Sequence, residues 1–222
     1  MPNDARTSLL HLIATHSFRL GDFTLASGQK SDYYIDCRTT TLHAEGGRLA
    51  GLVLYELIRE HMPQAAAVGG LTMGADPLVS NVASASAWAL ADYNEILELS
   101  DELQLEDADP GPAPKLIHGF LVRKAEKAHG TGRRVEGFLE PGAAVVIVDD
   151  VCTTGGSTIT AIEATRDAGM TVAGVLCLVD REQGGRENIE RALAEVPSDK
   201  VIPFRAVFTA NDVRNAHVAL KK

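Results

Sequence analysis

Asp149 and Asp150 close a short apolar run and lead directly into Val151-Cys152-Thr153-Thr154-Gly155-Gly156-Ser157-Thr158. A strand that ends in a Thr/Gly-rich turn at the start of a helix offers unpaired backbone N–H groups, small side chains and hydroxyl donors. That is the chemistry of a phosphate cradle. Adjacent carboxylates repel a bare phosphate but suit a ribose diol or a metal-associated sugar, so the combination points to a phosphorylated ribose. The plain alternative is an ordinary strand-to-helix turn whose acids sit at a helix N-terminus. The lysine of a Walker A loop is absent and the GxGxxG spacing of a dinucleotide fingerprint is not met.

A second constellation places Arg123, Lys124, Lys127 and His129 within seven residues and ends in Gly130 and Gly132. The chain carries a formal net charge of -9, so its overall field repels nucleic acid and anionic lipid. A basic cluster on such a protein reads as a local anion site, with glycines that let it move as a lid. A solvated basic turn is the bland alternative. Arg181, taken alone, reads as a surface ion pair with Glu182 or Glu187, although a guanidinium is also suited to pair bidentately with a carboxylate ligand.

These groups need elements to hold them. Leu9, Leu10, Ile13 and Phe18 recur at helical spacing after Thr7, which predicts a short opening helix capped by Thr7. Phe23 to Arg38 reads as an extended stretch. Leu49, Leu52, Val53, Leu57 and Ile58 predict a helix from Glu45 to Met62 that Pro63 ends. Strand-like apolar runs follow at Ala65–Gly70, Leu116–Val122, Ala144–Asp149, Thr171–Asp180 and Val201–Phe208, with helices around Pro77–Leu90 and Gly156–Ala168 between them. Apolar runs buried on both faces and alternating with helices imply a doubly wound α/β fold with a parallel sheet.

At 222 residues and 45% apolar composition, one domain with one substantial core is expected over 1–222. Glu95–Lys115 is acidic and then Pro-rich, and is read as a surface insertion or loop. Cys37, Cys152 and Cys177 are odd in number and contain no CxxC pair, which fits a reducing compartment. The N-terminus lacks a signal-peptide pattern and no run approaches the roughly 18 apolar residues of a membrane span. The expectation is a soluble cytoplasmic protein with neither nucleic acid nor membrane as a partner.

The run VVIVDDVCTTGGST resembles the signature of the type I phosphoribosyltransferase family, which binds 5-phospho-α-D-ribosyl 1-diphosphate (PRPP). The resemblance implies a central parallel sheet flanked by helices, under an N-terminal hood that would span about 1–45. It assigns the ribose hydroxyls to Asp149 and Asp150, and PRPP binding to these two with Val151, Cys152, Thr153, Thr154, Gly155, Gly156 and Ser157. The stretch from Arg123 to Gly130 resembles the RKxxKxHG catalytic loop of orotate phosphoribosyltransferases. By that resemblance Arg123, Lys124, Lys127 and His129 contact pyrophosphate, Lys127 acts on the transition state, and the loop closes onto a neighbouring subunit of a homodimer.

Phe23 to Tyr34 resembles the N-terminal FxLxSGxxSxxY element of the same family, and Asp180-Arg181 its base-binding strand end. Tyr34, Thr153 and Arg181 are thereby assigned to orotate. Mg²⁺ is the implied cofactor, held through PRPP and water with no direct protein ligand. The implied reaction converts orotate and PRPP to orotidine 5′-monophosphate and pyrophosphate in pyrimidine biosynthesis. Two departures stand out: Ala26 and Thr72-Met73 occupy places where some members carry a lysine and a Tyr-Lys pair, and Lys30 or Arg38 lie close enough in sequence to substitute. Transfer to another base, or a PRPP-sensing regulator without catalysis, are the alternatives.

Overall fold

The computed structural model describes residues 3–24, 30–104, 111–124, 134–195 and 201–221. The chain opens with helix α1 (Asn3–Leu12), whose first turn carries Asp4, and passes through a π-helical turn at Ile13–Ser17. Thr7 therefore lies inside the helix and is not its cap; an acid in the first turn complements the helix dipole there. Strands β1 (Phe18–Thr24) and β2 (Lys30–Ile35) pair antiparallel as a separate two-stranded sheet. The extended stretch expected from Phe23 is thus a hairpin that starts five residues earlier, with Phe18 on its first strand.

After the short α2 (Arg38–Thr41), helix α3 (Ala44–His61) begins at His43, whose ring Nδ1 accepts from the Gly46 N–H at 3.3 Å. Of the residues whose spacing predicts the buried face, Leu49, Val53 and Ile58 are buried while Leu52 and Leu57 are half-buried, and Leu54 is buried beside them. The remaining elements are β3 (Ala67–Leu71), α4 (Asp76–Glu102), β4 (His118–Val122), β5 (Val135–Gly137) and β6 (Ala144–Cys152). They are followed by α5 (Gly156–Asp167), β7 (Thr171–Asp180), α6 (Gly185–Ala194), β8 (Phe204–Thr209) and α7 (Ala210–Ala219).

Helix α4 corrects the sequence reading, because it runs on to Glu102 and absorbs the first part of the segment taken for an insertion or loop. Neither Gly nor Pro interrupts Leu78 to Glu102, and Ala, Leu and Glu are strong helix formers. The sequence reading also lacked β5, α6 and α7.

The main sheet has the order β5-β4-β3-β6-β7-β8, with only β5 antiparallel to its neighbour. Alternation along β6 divides its side chains between two cores. Val146 and Val148 join the cluster containing Leu54, Ile58 and Leu78 from α3 and α4. Val145 and Ile147 join Ala161, Ile162, Ile189 and Leu193 from α5 and α6. Helices on both faces explain why the strands read as unbroken apolar runs. Strand order reverses between β3 and β6, and the crevice at the carboxyl ends of such a pair is where open α/β sheets take ligands.

Candidate active site

At that crevice a cavity of about 550 Å³ is walled by three groups of residues. The end of β6 and its loop supply Asp149, Asp150, Val151, Thr153 and Ser157. The turn after β3 supplies Thr72, Met73 and Gly74. The segment around β2 supplies Tyr34, Asp36 and Arg38, and Lys124 and Arg181 also reach the wall.

Asp149 is buried, with 8% of its surface exposed, yet it is well supplied with donors. Thr158 Oγ1 donates to its Oδ2 at 2.8 Å and the Asp150 N–H to its Oδ1 at 3.0 Å. Burial, followed by the neighbouring Asp150 carboxylate, pushes the Asp149 pKa up from 3.8 to about 7. Asp150 is raised too, chiefly by burial, while the Val151 N–H donating at 3.0 Å and the charge of Arg38 oppose the rise. Two adjacent carboxyls, one buried and one half-buried, accept hydroxyl donors or a cation readily, because either relieves the cost of ionising both.

The loop after them is shaped by its neighbours. Gly155 takes φ +81°, the left-handed conformation, and precedes the first turn of α5, whose leading N–H groups have no carbonyl one turn back. Asn188 Nδ2 from α6 donates to the Thr154 carbonyl at 3.0 Å, so the unanticipated helix α6 steadies the loop. Cys152 faces the core, buried against Gly185, where burial lifts its thiol to about 12. Its carbonyl accepts from the Arg181 N–H at 2.9 Å.

Arg181 is also buried, at 7% exposure. Its guanidinium lies over the Tyr33 ring, 4.6 Å from the centroid, and Nη2 donates to Ser31 Oγ at 3.2 Å. Nε is buried without a hydrogen-bond partner. Among the described residues no carboxylate pairs with it: Asp180 is engaged by Arg186 at 3.6 Å and Glu182 accepts from Asn211 at 3.0 Å. The surface ion pair that could have explained this arginine does not form.

Of the residues singled out in the sequence, the fold brings Tyr34, Lys124, Asp149, Asp150, Val151, Thr153, Ser157 and Arg181 to one cavity. Cys152 at the end of β6, Thr154 and Gly155 of the turn, and Gly156 at the start of α5 are not among the residues that line it. Arg123 leans the other way, onto Glu136 at 3.0 Å. Lys127, His129 and Ala26 lie outside the described residues. Lys30 donates to Thr24 Oγ1 at 3.0 Å and does not reach the cavity. Arg38 does, gripped by Asp36 through Nε and Nη2, each at 2.8 Å. Asp36 and Gly74 carried no sequence signal of their own.

A doubly wound sheet with an acid pair and a glycine loop at its switch point is the architecture of the type I phosphoribosyltransferases. A family model of the phosphoribosyl transferase domain accordingly matches residues 120–204, from β4 to the start of β8. The orotate phosphoribosyltransferase of Synechocystis sp. is 40% identical over 213 residues, covering 96% of this chain and 90% of that protein. The crystal structure of Mycobacterium tuberculosis H37Rv orotate phosphoribosyltransferase in complex with Fe(III) dicitrate superposes with a TM-score of 0.69 at 33% identity, covering 94% of this chain and 98% of that one. The same enzyme in complex with PRPP gives a TM-score of 0.66 at 30% identity, covering 95% and 99%. The chain belongs to the orotate phosphoribosyltransferase family. Among the described residues no helix is long and apolar enough to cross a membrane.

Proposed function

We propose that the protein transfers the 5-phosphoribosyl group of PRPP to a ring nitrogen of orotate, giving orotidine 5′-monophosphate and pyrophosphate. The observation that carries this reading is a buried Arg181 that meets no carboxylate among the described residues, in the same cavity as the Asp149–Ser157 site. Orotate bears a carboxylate to meet that guanidinium; adenine, guanine and uracil bear none. Family membership favours this reading over transfer to another base or a non-catalytic sensor.

Displacement at ribose C1 builds positive charge on the sugar and negative charge on the leaving pyrophosphate, so positioning and electrostatics carry the work. Asp149 and Asp150 accept from the ribose hydroxyls, and Thr153 to Ser157 hold the 5′-phosphate at the start of α5. Arg181, Tyr34 and Thr153 orient orotate. Arg123 and Lys124 open the basic loop that, with Lys127 and His129, meets pyrophosphate, and Arg123 exchanges Glu136 for that anion. Arg38, held by Asp36, forms the wall of the cavity beside β2.

The site suits Mg²⁺ of the kind that binds through substrate oxygens and water. One buried and one half-buried carboxylate, Asp149 and Asp150, are present, and no group of three or more acidic, histidine or cysteine ligands occurs among the described residues. When bound beside Asp149 and Asp150, the metal would supply charge neutralisation to the departing pyrophosphate. We further propose a single catalytic domain that works as a cytoplasmic homodimer, each basic loop closing on its neighbour's site. The test is spectrophotometric: orotate absorbance should fall only with protein, PRPP and Mg²⁺ together, and undiminished turnover in excess chelator would contradict the metal's role.

A further inference from the structure

Successive residues of β2 face opposite ways. Tyr34 lines the cavity, whereas Tyr33 sits half-buried behind it. Two guanidinium groups lie over the Tyr33 ring: Arg181 at 4.6 Å and Arg214 from α7 at 5.1 Å. Phe18 of β1 stacks with the same ring at 5.5 Å, with an interplanar angle of 17°. The two cations are treated differently. Arg214 is paired with Asp32 at 2.6 Å, while Arg181 meets no carboxylate among the described residues and keeps a buried, unpartnered Nε.

We infer that Tyr33 is a positioning residue for base recognition, aiming the Arg181 guanidinium at the substrate carboxylate without neutralising it. This rests on the reading of Arg181 as the orotate contact. An aromatic face attracts a guanidinium through its quadrupole and sets the plane of the group. A carboxylate in the same place would hold the arginine equally well but would cancel the charge that orotate needs. Asp32 serves the complementary purpose, drawing the charge of Arg214 outward so that two cations can share one ring. Helix α7 thereby reaches the site through Arg214 and Tyr33, although it contributes nothing to the cavity wall.

Steady-state kinetics of the full chain test this. Tyr33→Leu should raise the KM for orotate about tenfold and leave the KM for PRPP within about twofold, while Tyr33→Phe, which keeps the ring face, should retain wild-type values. Arg214→Gln removes a partner of the ring from a surface helix and should raise the orotate KM by about threefold; it decides the matter alone if Tyr33→Leu does not fold. An unmoved orotate KM, or both KM values rising together without rescue by phenylalanine, overturns the role of Tyr33. A wild-type protein that ignores orotate but uses another base overturns the functional reading first, and this role with it.

Discussion

Gly74 and Asp150 share one small volume: a Cβ on Gly74 would stand 2.5 Å from Asp150 Oδ1, nearer than any methyl group can approach. The turn after β3 therefore passes over the acid pair at a distance that only glycine permits. Asp150 is short and holds the Val151 N–H at 3.0 Å, so it has little freedom to withdraw. Gly74→Ala should displace the carboxylate and raise the KM for PRPP by about tenfold or more, as a misplaced positioning group does. A variant with wild-type PRPP kinetics would show that this packing is idle.

The Asp149 pKa, lifted to about 7, has a consequence for stability without substrate. Between 3.8 and about 7 the unfolded chain has released a proton that the folded site still holds, so stability should decline as pH rises through that window. Asp149→Asn keeps an acceptor for Thr158 and removes the titration. Its melting temperature should vary less than that of the wild type from pH 4 to 8, and should exceed the wild-type value at pH 8. Superimposed profiles would mean that Asp149 ionises freely in the folded protein.

Lys127 belongs to the basic run that begins at Arg123 and is assigned to the developing charge on pyrophosphate. Lys127→Ala should lower kcat by about a hundredfold while changing the KM for PRPP much less, the pattern of an interaction made chiefly in the transition state. An unchanged kcat would remove Lys127 from the mechanism.

How far the sequence discloses this site follows from how local its parts are. The Asp149–Ser157 loop is legible because strand, turn and helix start are contiguous, and the basic run at Arg123–His129 because its charges crowd together on an acidic chain. Asp36 and Gly74 are not, since the segment after β2 and the turn after β3, the strand beside β6, bring them in and nothing in their own spacing announces it. Arg181 was the ambiguous case. Glu182 stands beside it in sequence, yet it adopts φ +57° and donates its N–H to Asp180 Oδ1, which turns its carboxylate towards Asn211. Local backbone geometry thus decides whether an arginine is neutralised.

Among the elements the same contrast holds. Helix α3 matched its sequence boundaries because its apolar stripe is regular and Pro63 follows. Helix α7 escaped notice although Thr209 and Asp212 form a reciprocal capping box, because its short polar sequence carries little apolar periodicity. Its end of the chain nonetheless supplies Arg214 to the Tyr33 ring beneath Arg181.

The most direct test of the account is base selectivity: kcat/KM for orotate against uracil, in the wild-type protein and in Arg181→Met. A site built around a buried guanidinium that meets no carboxylate among the described residues should reject a base without a carboxylate by about 10⁴, and should lose most of that preference when the guanidinium is removed. The account is contradicted if the wild type uses uracil comparably to orotate, or if Arg181→Met keeps the wild-type ratio.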